Sequence, residues 1–236
     1  MSKGWLGIFL STLLWSGINP KDTLIWLLEI APALIGLGVL LATRRTFPLT
    51  RIAYGLILIH SLILMIGGHY TYAEVPLFDW LKQIFHLQRN HYDKVGHFAQ
   101  GFVPAVLARE ILIRKAVVAG RSWLNFLVTC ICLAISAAYE LLEWFVAEIN
   151  EEAADSFLGT QGDIWDTQSD MAFALIGAIA AIVGLSTAHD RQIAALPLIT
   201  NIYNQSANKR RAILTGKLNS PRHAKNRSKK RSHFHK

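Results

Sequence analysis

Apolar residues occur along this chain in long, nearly uninterrupted runs separated by short polar segments. A helix needs about 20 apolar residues to cross roughly 30 Å of hydrocarbon. Five runs meet or approach this length: residues 23–42, 51–67, 96–113, 124–145 and 170–188. The pattern therefore predicts an all-α protein built as a bundle of transmembrane helices.

A sixth apolar run, residues 5–18, is shorter than the others. Its length would also suit the apolar core of a signal peptide, but residues 16–20 do not form a small-x-small cleavage site. We interpret the run as an uncleaved first helix. The prediction is a polytopic membrane protein with about six transmembrane helices, and five is the alternative.

The distribution of Lys and Arg predicts the orientation of this bundle, because short loops rich in these residues stay on the cytoplasmic side. In a six-span arrangement, four basic groups fall on one side. They are Lys3, the group Arg44, Arg45 and Arg51, the group Arg114, Lys115 and Arg121, and Arg191 with the segment that follows it. Both termini are predicted to be cytoplasmic, and most carboxylates then lie at or near the outer face.

Composition supports the membrane assignment and limits the possible classes of site. Hydrophobic residues make up 52% of the 236 residues and charged residues only 17%, which argues against a water-soluble enzyme. The two cysteines, Cys130 and Cys132, lie in one apolar run, so the sequence offers neither a disulfide framework nor a cysteine-rich metal site.

The net charge of +8 comes from the C-terminal segment. Residues 201–236 contain eleven Lys or Arg and no Asp or Glu, whereas residues 1–200 contain 13 basic and 16 acidic side chains. We therefore divide the chain into a transmembrane domain, residues 1–190, and a disordered basic cytoplasmic tail, residues 191–236. Membrane lipids are the expected partners, with anionic headgroups at the tail, and nucleic acid is not expected.

Ionisable residues within or beside the last three predicted spans form the candidate site. Asp93 and His97 are four residues apart, so they share one face of a helix. Three further groups have similar helical spacing: Glu140 with Glu143, Asp163 with Asp166, and Asp166 with Asp170. Because successive spans alternate in direction, these residues are expected to meet at the outer interface, and Glu29 lies close enough in depth to join them.

A histidine surrounded by carboxylates suits two kinds of chemistry. His97, Glu140 and Glu143 are the candidate catalytic residues, since an imidazole beside a carboxylate can act as a general acid or base. Asp93, Asp163, Asp166 and Asp170 are the candidate ligands of a divalent cation, Mg²⁺ or similar. Helix capping is the alternative for Asp93, Lys94 and Asp163, but it cannot explain acids near a helix C-terminus.

The longer outer loop, residues 68–95, contains an amphipathic stretch at residues 78–85. This pattern is consistent with a short helix that lies in the membrane interface or covers the site, and a packed re-entrant turn would look the same.

Several motifs link the chain to known families. They are Asp93-Lys94-x-x-His97-Phe98, Val103-Pro104, Arg109-Glu110, Tyr139-Glu140-x-x-Glu143-Trp144, and the long run from Phe157 through Gln161, Gly162, Asp163 and Asp166 to Asp170. On these motifs, residues 20–190 resemble the YjdF-like family, a domain-of-unknown-function family. The resemblance implies a multi-pass protein of the bacterial inner (plasma) membrane, with no assigned reaction. More distantly, the layout is similar to VanZ-like membrane proteins, although Ala174 stands where those have Asn.

Three functions are compatible with this sequence. The first is an enzyme that acts on a lipid or lipid-linked phosphate at the outer interface. The second is a non-catalytic protein that organises the membrane, with the polar cluster joining its helices. The third is a proton-coupled transporter, which should have polar groups through the full depth of the membrane.

Overall fold

The computed structural model describes residues 1–149 and 161–196, and this part of the chain contains seven α-helices and no β-strand. The helices are α1 (Lys3–Ser16), α2 (Thr23–Thr43), α3 (Arg51–Tyr70), α4 (Pro76–Ile84), α5 (Tyr92–Arg114), α6 (Arg121–Ile149) and α7 (Asp166–Ala194). The predicted all-α class is confirmed. The beginning of the Phe157 motif and nearly all of the predicted basic tail lie outside the described residues.

The first three helices begin where a polar side chain caps the free backbone amides. Ser2 Oγ accepts a hydrogen bond from Trp5 N at 3.1 Å. Asp22 Oδ1 accepts one from Ile25 N at 2.9 Å, and Thr50 caps α3 in the same way. These caps explain why the helices begin close to the starts of the apolar runs.

Four helices, α2, α3, α6 and α7, are long and apolar enough to cross a membrane. Helix α1 has only 14 residues, which corresponds to about 21 Å. Helix α5 has 23 residues but carries His97, Arg109 and Glu110, which lower its hydropathy. Four helices are therefore candidate membrane spans by length and composition, whereas spans at α1 and α5 remain predictions.

Helix α5 is the most buried helix of the bundle, and close packing against α7 holds it there. Gly101 of α5 lies against the backbone of Ala174, and Gly177 of α7 lies against the backbone of Phe98. A Cβ atom at either glycine would overlap the neighbouring helix. Small residues thus let two helices approach closely, as is common in membrane bundles.

Large apolar side chains cover the outside of the bundle. Leu14, Ile35, Leu141 and Val183 are all more than 60% exposed. Such a surface suits contact with lipid rather than water. Helix α4, in the predicted amphipathic region, exposes Leu77 and Trp80, while its Phe78 packs edge-on against Tyr92 of α5.

A polar network joins the start of α3 to the ends of α5 and α7. The candidate site lies at the other end of the bundle, so we call this end the opposite end. Glu110 is fully buried and accepts hydrogen bonds from Thr50 N at 3.1 Å, Thr50 Oγ1 at 2.7 Å and Arg114 at 2.7 Å. His189 Nε2 lies 3.0 Å from the same carboxylate. Glu110 therefore ties the start of α3 to the ends of α5 and α7.

The described residues up to 193 form one compact unit. The predicted division at residue 190 stays a prediction, since residues 197–236 lie outside the described part of the chain.

Candidate functional site

The candidate site lies where the N-termini of α5 and α7 meet the C-terminal part of α6, which we call the site end. His97 is at its centre. Its Nε2 atom lies 3.3 Å from Asp93 Oδ1 and 3.8 Å from Asp170 Oδ1, and its Nδ1 atom lies 3.6 Å from Glu140 Oε1. The expected meeting of three helices around His97 is present in the structure.

Both nitrogens of the His97 ring face oxygen atoms. Besides the carboxylates, Gln100 Oε1 lies 3.1 Å from Nδ1 and accepts a hydrogen bond when that nitrogen carries the proton. His97 is only 5% exposed. An imidazole held in this way can pass a proton between neighbouring carboxylates and a bound molecule.

Lys94 is buried and pairs with α7. Its Nζ atom lies 2.6 Å from Asp166 Oδ1 and 2.5 Å from Asp170 Oδ1, and both contacts are hydrogen bonds. The alternative that Lys94 belongs to a helix cap is therefore wrong, because its ammonium group joins α5 to α7 instead.

Arg89, which precedes α5, contacts the same acidic group. It donates a hydrogen bond to Asp166 Oδ1, and its guanidinium lies 3.4 Å from Asp163 Oδ2 and 3.6 Å from Asp93 Oδ2. Burial opposes the charge of Arg89, but the Asp166 hydrogen bond and the nearby carboxylates outweigh it and raise the pKa of Arg89. Burial and the positive charges of Arg89 and Lys94 lower the pKa of His91.

Asn90 fixes the position of Arg89 and of the start of α5. Its backbone N–H donates to Gln161 Oε1 at 2.9 Å, and Gln161 Nε2 donates back to Asn90 O at 2.9 Å. The Asn90 side chain donates to Val75 O and to Asp79 Oδ1. This fully buried asparagine therefore connects the segments before α5 and α7 with α4.

The four candidate metal ligands occupy different environments. Asp93, His97 and Asp170 each offer one ligand atom, and these atoms all lie within 4.8 Å of one another. Asp166 instead receives hydrogen bonds from Arg89 and Lys94. Asp163 is partly exposed and accepts a hydrogen bond from Trp165 N at 2.9 Å, so the local turn explains its position.

A cavity of about 690 Å³ lies beside this cluster, between α2, α3, α5 and α6. Its lining is polar at the site end, where it includes Glu29, Tyr72, Asp93, His97, Tyr139 and Glu143. Apolar residues such as Leu64, Val103 and Ile135 line the middle. Glu29 and Thr43 of α2 both line the cavity, so it extends about 21 Å along that helix.

Glu29 and Glu143 bring carboxyl groups from α2 and α6 to the cavity. Glu29 is 6% exposed and its Oε2 accepts a hydrogen bond from Tyr139 Oη at 3.2 Å. Glu143 is 8% exposed and lines the cavity beside Tyr139. The expectation that Glu29 joins the site is thus met through the cavity rather than through direct contact with His97.

Sequence reasoning missed the roles of Arg89, Asn90 and Tyr139. Arg89 and Asn90 precede a helix, and no periodic pattern places them. Tyr139 could have been identified from the sequence, because it lies four residues before Glu143 and so shares its helix face.

Comparison with known proteins agrees with the fold. The model of a family described as predicted membrane protein (DUF2238) matches residues 1–191. The inner membrane protein YjdF of Escherichia coli (strain K12) is 52% identical over 188 residues, which cover 80% of this chain and 90% of that protein. No solved structure matches. The predicted family resemblance and the inner-membrane location are confirmed, and the chain belongs to the DUF2238 family of predicted membrane proteins.

Proposed function

We propose that this protein is a membrane-embedded enzyme that takes a lipid chain into its cavity and acts on the headgroup at the site end. The observation that carries this proposal is the continuity between an apolar cavity and the His97 cluster. The volume of about 690 Å³ is within the range of ligand pockets, roughly 300 to 1,000 Å³. An amphiphilic molecule fits both parts of this space.

His97 is the proposed general acid or base. Asp93 lies at Nε2, and Glu140 lies at Nδ1, so each ring nitrogen has a carboxylate neighbour. Because Asp93 and His97 also line the cavity, a headgroup placed there is within reach of the proton that they share. The substrate class that suits this arrangement is a lipid or lipid-linked phosphate.

A divalent cation at Asp93, His97 and Asp170 is the second part of the proposal. Carboxylate oxygens and one imidazole nitrogen suit Mg²⁺ or Mn²⁺. Lys94 already contacts Asp170, so the cation would share that carboxylate with an ammonium group. We therefore expect weaker cation binding than at a site made only of free carboxylates.

A substitution that fills the cavity should displace the bound lipid. Gly36 lines the cavity, and a Cβ atom built there meets nothing within 4 Å. Gly36→Phe should therefore place a ring in the cavity and reduce the lipid bound to purified protein at least about tenfold. Native mass spectrometry measures bound lipid and bound divalent metal in the same spectrum.

Gly38→Phe is the matched control for this variant. Gly38 belongs to the same helix and also has open space around it, but it faces outward and does not line the cavity. Equal lipid content in both variants and in the unchanged protein would reject the cavity as the lipid site.

The proposed topology has six spans with both termini in the cytoplasm, which places the site end on the outer side of the membrane. The basic loop between α5 and α6, which includes Lys115 and Arg121, supports this orientation. Reporter fusions after residue 118 should be active in the cytoplasm, and fusions after residue 88 on the outer side. The opposite result at both positions would reverse the orientation.

A carrier is the second candidate function. The cavity reaches past the middle of the bundle to Thr43 and Lys115 at the opposite end, as a translocation path requires. Flux of a labelled lipid across proteoliposomes distinguishes the two, because the enzyme changes its substrate whereas the carrier only moves it.

A further inference from the structure

We infer that the headgroup bound at the site end of the cavity is positively charged, an ammonium group on a long apolar chain. This inference rests on the proposed function, since it assumes that the cavity holds an amphiphile. It narrows the proposed substrate class to a lipid with a cationic headgroup, in place of a lipid-linked phosphate.

The first observation is a buried carboxyl group without a partner. Glu143 is more than nine-tenths buried and lines the cavity. Within residues 1–149 and 161–196, its side chain makes no hydrogen bond or ion pair. A buried carboxylate is costly unless a cation or hydrogen-bond donor accompanies it, so Glu143 is poised for a donor supplied by the ligand.

The second observation is the charge balance around the cavity. Three carboxyl groups, those of Glu29, Asp93 and Glu143, line the site end. Lys94 and Arg89 contribute no lining atoms, because they are directed to Asp166. His97 is the basic side chain among the described lining residues at this end, so acidic groups outnumber basic ones by three to one.

The opposite end of the cavity has the reverse character. Lys115 lines it there, 18 residues after His97 and therefore about 27 Å away along α5. An anionic headgroup would find a positive charge at that end and carboxylates at the site end. The charge of the headgroup therefore determines how an amphiphile is oriented in the cavity, and a cationic headgroup is favoured beside Glu143.

Two aromatic rings complete the site for an ammonium group. Tyr72 and Tyr139 both line the cavity beside Glu29 and Glu143. Cations bind the faces of aromatic rings, and carboxylates accept charge-assisted hydrogen bonds from an ammonium group. Aromatic and acidic walls together are typical of sites that recognise alkylammonium ions.

The test compares three probes with the same sixteen-carbon chain: hexadecylamine, hexadecanol and hexadecyl phosphate. Affinity is measured by calorimetric titration of the full-length protein in a nonionic detergent at pH 7. The amine should bind at least about tenfold more tightly than the alcohol, and the phosphate more weakly than both. Glu143→Gln and Glu29→Gln should each reduce amine affinity about tenfold while hexadecanol binding stays unchanged.

Glu148→Gln is the matched control, because Glu148 is exposed on the same helix as Glu143. Thermal melting of each variant identifies any loss of folding, and Glu29→Gln keeps the test valid if Glu143→Gln does not fold. Equal binding of all three probes, blocked by Gly36→Phe, would overturn the charge inference but leave the proposed function standing. Tighter binding of the phosphate would also overturn it, and failure of all three probes would reject the proposed function itself.

Discussion

Replacing Lys94 by Met should destabilise this protein by about 3 to 5 kcal/mol, because it removes the ammonium group that donates to the buried Asp170 carboxylate and leaves Asp166 with Arg89 alone. Lys94 contacts Asp166 at 2.6 Å and Asp170 at 2.5 Å, and all three side chains are at most 7% exposed. For a chain of this size the loss corresponds to a decrease in melting temperature of roughly 10 °C. Thermal unfolding in detergent micelles, followed by circular dichroism, measures it.

Lys21→Met is the matched control for this prediction. Lys21 pairs with Glu74, but both side chains are about half exposed. Exposed pairs contribute roughly 0 to 1 kcal/mol, so the melting temperature should change little. The double variant Lys94→Met with Asp170→Asn should recover part of the stability lost in Lys94→Met. Similar melting temperatures for Lys94→Met and Lys21→Met would contradict the assignment of Lys94 as the link between α5 and α7.

Gly101→Ala should destabilise the bundle by about 1 to 3 kcal/mol, although it adds a single methyl group. The new Cβ atom would overlap the backbone carbonyl of Ala174, and no side-chain rotation can relieve that contact. Helices α5 and α7 would have to separate. Because Lys94 and His97 reach Asp170 across the same pair of helices, lipid retention should decrease together with stability.

Gly184→Ala makes the same chemical change on α7 in open surroundings. Alanine is favoured over glycine in a helix interior by up to about 1 kcal/mol, so this variant should be as stable as the unchanged protein or slightly more stable. The two substitutions are thus expected to have effects of opposite sign. Equal melting temperatures for Gly101→Ala and Gly184→Ala would show that α5 and α7 do not pack as closely as described.

The sequence predicts the helices well because long apolar runs and polar caps act locally. Residues 23–42 became α2 (Thr23–Thr43), and Asp22 caps it. Helix α5 is harder to classify, since its polar residues face other helices rather than lipid. Hydropathy alone cannot distinguish a membrane span rich in functional residues from a helix buried within a bundle.

The site was predictable as far as helical periodicity and alternating direction determine it. Both rules place Asp93, His97, Glu140 and Asp170 at one depth, and the structure brings them together. Neither rule shows which helix lies beside a given face. Lys94 is adjacent to Asp93 in sequence, but its side chain is directed to α7, which packs closely against α5 at Gly101.

The remaining contacts involve residues in segments without a periodic pattern of apolar positions. Asn90 and Gln161 pair across two connections, and Glu110 accepts a hydrogen bond from Thr50, the cap of α3, which lies 60 residues earlier. Contacts of this kind follow from tertiary packing, so no local pattern identifies them. The cavity also follows from tertiary packing, because it is a space between four helices.

The proposed occupant of this cavity is a lipid chain whose headgroup lies at His97. Photolabelling with a fatty amine that carries a diazirine in its chain tests it most directly, when labelled residues are located by peptide mass spectrometry. Labels are expected on Leu64 and Val103, which are buried and line the cavity. Labels confined to outward-facing residues such as Ile59 and Val183 would contradict it.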